Sequence, residues 1–389
     1  YDPDDLRGGN IGVFIGNSYL DTLEFYLYDA DVINECAATG CSNTMLANRI
    51  SHIFDFKGQN FVVDTGCSSG LVALYCAVQS ILRGDIEAAV VGGVNLCLRP
   101  GSSIQFHRLG ATSDAGFCKA FDADGKGYVR SEAIATIFVQ KSDVARRKYA
   151  SIIHIKTNND GYKDKGITYP SYEMQKRLIQ EVYEECKLSP SQISYVEAHG
   201  TGTIAGDPVE VSAIADVLCS GREEPLWIGS VKSNMGHAEA ASGLCAVIKV
   251  LICMEKGMLA PNLHFNKPNL AILALINGQV RVPTDSEPWR ADYAAVNNFG
   301  FGGVNVHVVL NSNGDEMKRY HDKTVPQLVM FSGRTQESVQ YLFDYLKTAV
   351  PSREFFALLH KSVYSTSKAK PYRGYKLLQK GQEIAEIKV

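Results

Sequence analysis

"VDTGCSSG", residues 63–70, is the stretch that decides how this chain is read. It begins at the end of the β-rich "FVV" (61–63) and precedes the apolar "LVALYCAVQSIL", in which Leu71, Leu74, Val78 and Ile81 recur at helical spacing. The pattern predicts a strand that turns into a mostly buried helix, with Cys67 at the helix's first turn. Unpaired N–H groups and the positive end of the helix dipole gather there. Both favour the thiolate, which is the nucleophilic form of cysteine. A free cysteine among apolar residues is otherwise a small buried hydrophobe. The stretch by itself therefore makes Cys67 a candidate nucleophile and no more.

Outward from this turn, strand-like runs alternate with helical ones as far as about residue 311. Residues 11–16, 60–65, 88–98, 133–141, 151–158 and 193–200 read as strands, and 171–187, 207–219 and 239–256 as helices. Such alternation predicts an α/β fold with helix-covered sheets. Asp207, Pro208 and Glu210 are placed as N-cap, N1 and N3 of one of those helices. After residue 312 the texture changes. "NSNGDEMKRYHDK" (311–323) is linker-like. "VPQLVMFSGRTQESVQYLFDYL" then predicts one strand and one amphipathic helix of a second, smaller domain. No internal repeat is visible.

Composition excludes several classes. The chain has 389 residues, 45% of them hydrophobic and 21% charged, as ordinary globular proteins do. A net charge of −3 gives no electrostatic reason to expect nucleic acid or an anionic membrane as a partner. No apolar run is long enough to span a bilayer. Ten cysteines are scattered with no C-x-x-C pair, so neither a zinc site nor a dithiol motif is expected, and no other metal. Buried thiols of this kind suit a reducing compartment, and a cytoplasmic location is expected. "DADGKGYV" (122–129) has Lys126 where a calcium loop needs its fifth-position ligand, and Ala133 where it needs a glutamate. "VGGVN" (91–95) does not lead into a dinucleotide-binding turn.

Two of the nine histidines stand apart. His199, in "EAHGTGTIAGDPVE", ends a predicted strand, and His237, in "GSVKSNMGHAEAASG", precedes a predicted helix. Loops between strands and helices are where α/β folds gather their active sites. A lone histidine is more often structural, as His264 and His307 are read here.

"DTGCSSG", "EAHGTGT", "KSNMGH" and "NNFGFGGVN" (297–305) follow one another in the order typical of β-ketoacyl synthases, and the chain resembles that family from about residue 9 to 311. "ANRISHIFDFKG", "CKAFDADGKGYVRSE", "KGITYPS" and "APNLHFNKPN" resemble the animal type I fatty acid synthase branch. "VPQLVMFSGRT" and "PYRGYKLL" resemble the linker between ketosynthase and acyltransferase.

The resemblance implies a thiolase-like fold: two similar halves, each with a five-stranded sheet, sharing buried helices. Residues 1–148 would be an incomplete N-terminal half carrying the nucleophile. Residues 149–312 would be the C-terminal half carrying both histidines and the lysine, and 313–389 an incomplete linker. About the first hundred residues of a complete ketosynthase are expected to lie before Tyr1. The chemistry implied is decarboxylative Claisen condensation of an acyl group on Cys67 with a malonyl thioester. Substrates would arrive on the phosphopantetheine arm of an acyl carrier protein, with no cofactor bound by this region. The expected partners are a second copy in a homodimer, the carrier protein and an acyltransferase domain. His199 and His237 would hold the enolate of decarboxylating malonyl. Cys67 and Phe301 would lend backbone N–H groups to the acyl oxyanion, with Gly300, Gly302 and Gly303 allowing close backbone approach. Lys232 would tune the local field, and Thr201 and Thr203 would hydrogen-bond the phosphopantetheine arm.

Three positions depart from the family's usual text: Gly66 for alanine, Gly70 for serine and Ala133 for glycine. If Gly66 follows the backbone of the usual alanine, Gly66→Ala is expected to stabilise by roughly 0.4–1 kcal/mol with acylation kept. Three rival readings remain at this level: an animal-like polyketide ketosynthase, a truncated non-catalytic dimerising fragment, and a Cys–His hydrolase.

Overall fold

The computed structural model describes residues 3–21, 23–24, 31, 33–145, 147–290, 292–312, 327–348, 355, 371–379 and 382–388. Its strands are β1 (Ile11–Gly16), β2 (Asn60–Val63), β3 (Ala88–Asn95), β4 (Ala133–Gln140), β5 (Ala150–Asn159), β6 (Ile193–Glu197), β7 (Leu226–Gly229), β8 (Met258–Leu259), β9 (Val280–Arg281), β10 (Glu287–Pro288), β11 (Tyr293–Phe299), β12 (Val304–Ser312), β13 (Gln327–Gly333), β14 (Tyr372–Gln379) and β15 (Gln382–Lys388).

Strand β1 shows why the sheets are buried on both faces. Ile11, Val13 and Ile15 pack outward with Ala47 of helix Thr44–Phe54. Phe14 packs inward with Leu71, Leu74 and Leu244. Strands apolar on both faces are those of sheets with helices on each side. The first sheet has the order β2-β1-β3-β4, with β4 antiparallel to its neighbour. The second has the order β5-β12-β11-β6-β7-β9. Helices Ser69–Arg83 and Ser242–Lys256 lie between the two sheets and bury Ala77, Val247 and Val250 against Val91, Val296 and Val308. The outer face of the second sheet is covered by helices Tyr172–Cys186 and Gly206–Leu218.

The two halves repeat one plan. β2-β1-β3 are parallel with β4 antiparallel, and β7-β6-β11 are parallel with β12 antiparallel. Helix Ser69–Arg83 follows β2, and helix Ser242–Lys256 follows β7 after two short helical turns; these are the central pair. The sheets differ from the expected five strands each. β5 flanks β12 and the two-residue β9 extends the opposite edge, giving six. Among the described residues no strand lies beside β4 in the place that β5 takes beside β12, giving four.

Close approach of the central helix to β1 depends on glycine. A Cβ on Gly16 would lie 2.5 Å from the Gly70 amide nitrogen, and one on Gly70 would lie 2.8 Å from the Ala240 carbonyl. Gly70, which departs from the serine usual in the family, is thus a packing position. The chain from Pro3 to Met317 is one unit, and the tail from Lys318 is another. In the tail, β13-β14-β15 form an antiparallel sheet, and helix Gln336–Thr348 places Val339 and Phe343 in a core with Val329 and Phe331. The linker-like run beyond Ser312 lies outside the described residues.

Candidate active site

The turn that carries Cys67 is held by its own serines. Ser69 Oγ accepts from the Thr65 amide at 2.9 Å and donates to the Gly66 carbonyl at 2.6 Å. Ser68 Oγ donates to the Thr65 carbonyl at 3.0 Å, and the Gly66 amide donates to Asp64 Oδ1 at 3.1 Å. The helix begins at Ser69 after Ser68 as N-cap. Cys67 therefore sits two residues before the helix rather than within its first turn. Its resting state also differs from the expected thiolate. Burial pushes the thiol up to about 12, and the Glu239 carboxylate adds to that. The Lys232 ammonium and the N–H groups of Phe301 and Cys67 itself pull the other way. The thiol must then give up its proton to a neighbour as it attacks.

Gly66 overturns a second expectation. Its φ is +68°, and an added Cβ would lie 3.1 Å from the Phe301 ring. Gly66→Ala is expected to destabilise by about 1–2 kcal/mol, since a left-handed backbone places Cβ against the next carbonyl. It should also slow acylation by displacing Cys67. Thermal melts and acylation of the two forms check this; an unchanged or higher Tm contradicts it.

His199 and His237 meet over the same space as Cys67. Their ring centroids are 5.4 Å apart at an interplanar angle of 84°. Both line a cavity of about 360 Å³ together with Cys67, Thr201, Thr203 and Phe301. His237 is pinned by its backbone, its amide donating to the Val129 carbonyl at 2.7 Å and its carbonyl accepting from the Ser131 amide at 3.0 Å. Its Nδ1 accepts from the Glu239 amide at 3.0 Å. In a neutral imidazole that leaves the proton on Nε2. The His199 amide donates to Glu210 Oε1 at 2.7 Å, and its Nδ1 lies 3.2 Å from Asn298 Nδ2. Burial holds both imidazoles well below their ordinary pKa, and the Lys232 ammonium adds to this. Both are neutral near pH 7, and each can donate through one nitrogen.

Lys232 is only 1% exposed, and its Nζ has no hydrogen-bond partner among the described residues. Burial lowers its pKa against the pull of the Glu197 and Glu210 carboxylates. It is no solvated surface lysine. Thr201 Oγ1 and Thr203 Oγ1 are 3.0 Å apart, and Thr203 Oγ1 accepts from the Gly206 amide, so the threonines hold this loop as well as facing the cavity. A Cβ on Gly300 would lie 2.6 Å from the Thr65 carbonyl, so its lack of a side chain brings the Phe301 loop onto the Cys67 turn. Gly302 does not have the expected part in that approach, because nothing lies within 4 Å of where its Cβ would be.

Other supports were not legible in the chain. Arg130 pairs with Glu239, Nε to Oε1 at 2.7 Å and Nη2 to Oε2 at 2.8 Å, with both side chains almost wholly buried. The pair anchors the segment whose amide orients His237. Arg130→Met is expected to destabilise by about 3–5 kcal/mol, because it leaves Glu239 charged and buried without a partner. Adding Glu239→Gln should recover part of the loss; denaturant melts of the single and double variants read this. Asp207 is not the N-cap. The helix starts at Gly206, and the Asp207 carboxylate accepts from the Phe121 and Gly202 amides at 2.7 and 3.0 Å. Glu210 likewise reaches back to the His199 and Gly200 amides, not to a cap. Asp122 in "DADGKGYV" accepts from the amides of Asp124, Asn266 and Lys267. Arg130 and Glu239 both fall inside quoted motifs, but their contact spans 109 residues of chain, which no local pattern signals.

Residues 1–145 match the model of the β-ketoacyl synthase N-terminal domain, 149–266 that of the β-ketoacyl synthase C-terminal domain, and 268–377 that of the ketoacyl-synthetase C-terminal extension. A fatty acid synthase of the goose Anser anser anser is 48% identical over 256 residues, covering 66% of this chain and 73% of the goose sequence. The highly reducing polyketide synthase poxF of Penicillium oxalicum is 42% identical over 318 residues, covering 79% of this chain; the match spans 12% of that protein's length. Among solved structures, the ketosynthase from module 6 of the Bacillus subtilis bacillaene synthase superposes with a TM-score of 0.80 at 30% identity, covering 97% of this chain and 66% of that one. The oxazolomycin ketosynthase domain OzmH KS7 of Streptomyces albus JA3453 gives 0.81 at 31% identity, covering 97% and 67%.

Proposed function

We infer the reaction of this chain from its family, for it belongs to the β-ketoacyl synthases: it joins an acyl group held on Cys67 to a malonyl thioester in fatty acid synthesis. The observation that carries the reading is the convergence of Cys67, His199 and His237 on one cavity. The 48% identity to a fatty acid synthase supports that product class over a polyketide.

In the first half-reaction the Cys67 sulfur attacks the acyl thioester carbonyl, the carbon–sulfur bond to the carrier arm breaks, and the arm's thiol leaves protonated. The proton that the buried thiol gives up ends on the departing thiol of the arm. The N–H groups of Cys67 and Phe301 stabilise the tetrahedral oxyanion. In the second, malonyl loses CO₂ and the electron pair moves to an enolate held by N–H groups of His199 and His237. The enolate carbon attacks the acyl carbonyl, and collapse expels the Cys67 thiolate. The product is a 3-oxoacyl thioester two carbons longer. Lys232, a buried positive charge beside the thiol and both histidines, favours each anion along the way. Thr201 and Thr203 line the approach and would hydrogen-bond the phosphopantetheine arm that delivers both substrates.

On this reading the chain works as a homodimer within a longer cytoplasmic polypeptide that also carries acyltransferase and acyl carrier protein domains. No helix among the described residues is long and apolar enough to cross a membrane. Incubation with acyl pantetheine thioesters followed by peptide mapping tests the assignment. The acyl mass is expected on the peptide containing Cys67, and an acyl group on any other cysteine overturns it. Branched or β-hydroxy chains accepted in preference to saturated ones would favour the polyketide reading.

A further inference from the structure

We propose that Asn298 is a positioning residue that sets the tautomer of His199, holding Nδ1 as an acceptor so that the proton sits on Nε2. The inference rests on the condensing role of His199 given above, and it adds a residue outside the thiol, the two histidines and the lysine.

Asn298 is fully buried on β11. Its Nδ2 lies 3.2 Å from His199 Nδ1 and 3.1 Å from Ser242 Oγ. Ser242 Oγ in turn lies 3.4 Å from the Cys67 carbonyl oxygen. These contacts fix the direction of the amide. A serine hydroxyl carries one proton. If that proton goes to the Cys67 carbonyl, Ser242 must accept from Asn298, so the amide presents its NH₂ on this side. The second proton of the same NH₂ then points at His199 Nδ1, which can only accept it. A neutral imidazole that accepts at Nδ1 carries its proton at Nε2.

The arrangement leaves a visible cost. Asn298 Oδ1 is buried and has no partner among the described residues. A Cβ on Gly243 would lie 2.8 Å from it, so the helix is cut back at that point to seat the amide. Turning the amide over would let Oδ1 accept from Ser242, but the one Ser242 proton would then be lost to the Cys67 carbonyl. Buried unsatisfied polar atoms in native structures gather where function requires them. The result is one chain of contacts, His199–Asn298–Ser242–Cys67, tying the histidine to the nucleophile's own backbone. It also makes the two histidines alike. His237 is held as an Nδ1 acceptor by the Glu239 amide, and Asn298 gives His199 the same tautomer by a side chain. Two Nε2–H donors at one enolate oxygen are what the decarboxylation step needs.

The test is ¹⁵N-histidine NMR of the chain, with the His199 signals assigned by their loss in His199→Gln. The parent is expected to show a pyridine-like Nδ1 and a pyrrole-like Nε2 at His199. Asn298→Asp replaces the donor with a carboxylate and should move the proton to Nδ1. Asn298→Leu removes the donor and should give mixed tautomers. A parent with the proton on Nδ1 overturns the proposal, as does an unchanged tautomer in Asn298→Asp; the parent spectrum alone decides if a variant does not fold. Decarboxylation of malonyl pantetheine should fall about 10²-fold or more in Asn298→Asp, with acylation of Cys67 kept. A tautomer that switches without any loss of decarboxylation would leave the role of Asn298 intact and remove His199 from the enolate site.

Discussion

Condensation is expected to fall by about 10⁴-fold or more, to background, when Cys67 is replaced by alanine, because the covalent intermediate has no other place to form. Among the described residues Cys67 is the one cysteine lining the cavity. Cys118, also buried, is turned to its own backbone neighbours, its sulfur accepting from the Val129 amide at 3.2 Å. The substitution removes one small side-chain atom from a turn that Ser68, Ser69 and Asp64 hold without its help, so the loss of stability should be about 1 kcal/mol. Condensation assays with peptide mapping of the acylated chain read the outcome. Residual condensation within tenfold of the parent would place the nucleophile elsewhere.

The second large effect is expected at the histidines. His199→Ala and His237→Ala should each lower malonyl decarboxylation by about 10²–10³-fold, the usual loss for one donor to a developing oxyanion. Acylation of Cys67 should suffer less, because on the proposed reading the N–H groups of Cys67 and Phe301 serve that oxyanion instead. The contrast separates the donor role from general disruption: a histidine whose loss slows both steps equally acts on the nucleophile or on the fold. A His237 variant that decarboxylates at the parent rate would take that residue out of the enolate site. Both imidazoles are buried and held neutral beside Lys232. Replacing either with glutamine, which can still donate from a similar position, should recover part of the decarboxylation lost in alanine.

The sequence by itself determined the α/β alternation and pointed to Cys67, His199 and His237 as candidate reactive groups. Periodicity in "LVALYCAVQSIL" marks one central helix, and the apolar run of β1 marks a strand buried on both faces, because local side-chain patterning follows from the period of the element. The glycines and serines around Cys67 and the loops ending at His199 and His237 are legible for the same reason: turn chemistry is local. What only the tertiary structure decided are quantities that depend on residues far apart in the chain. The sign of φ at Gly66 comes with the packing of Phe301 against the turn, 235 positions away (301 − 66). The protonated resting thiol follows from how deeply Cys67 is buried and from Glu239, neither of which a helix-start pattern contains. Asp207 and Glu210 look like helix caps in one dimension. In three they are acceptors for Phe121, Gly202, His199 and Gly200, because a buried carboxylate takes whichever N–H groups the fold brings to it. The tautomers of the two histidines belong to the same class: they are set by which donor lies opposite each Nδ1, the Glu239 amide in one case and the Asn298 side chain in the other.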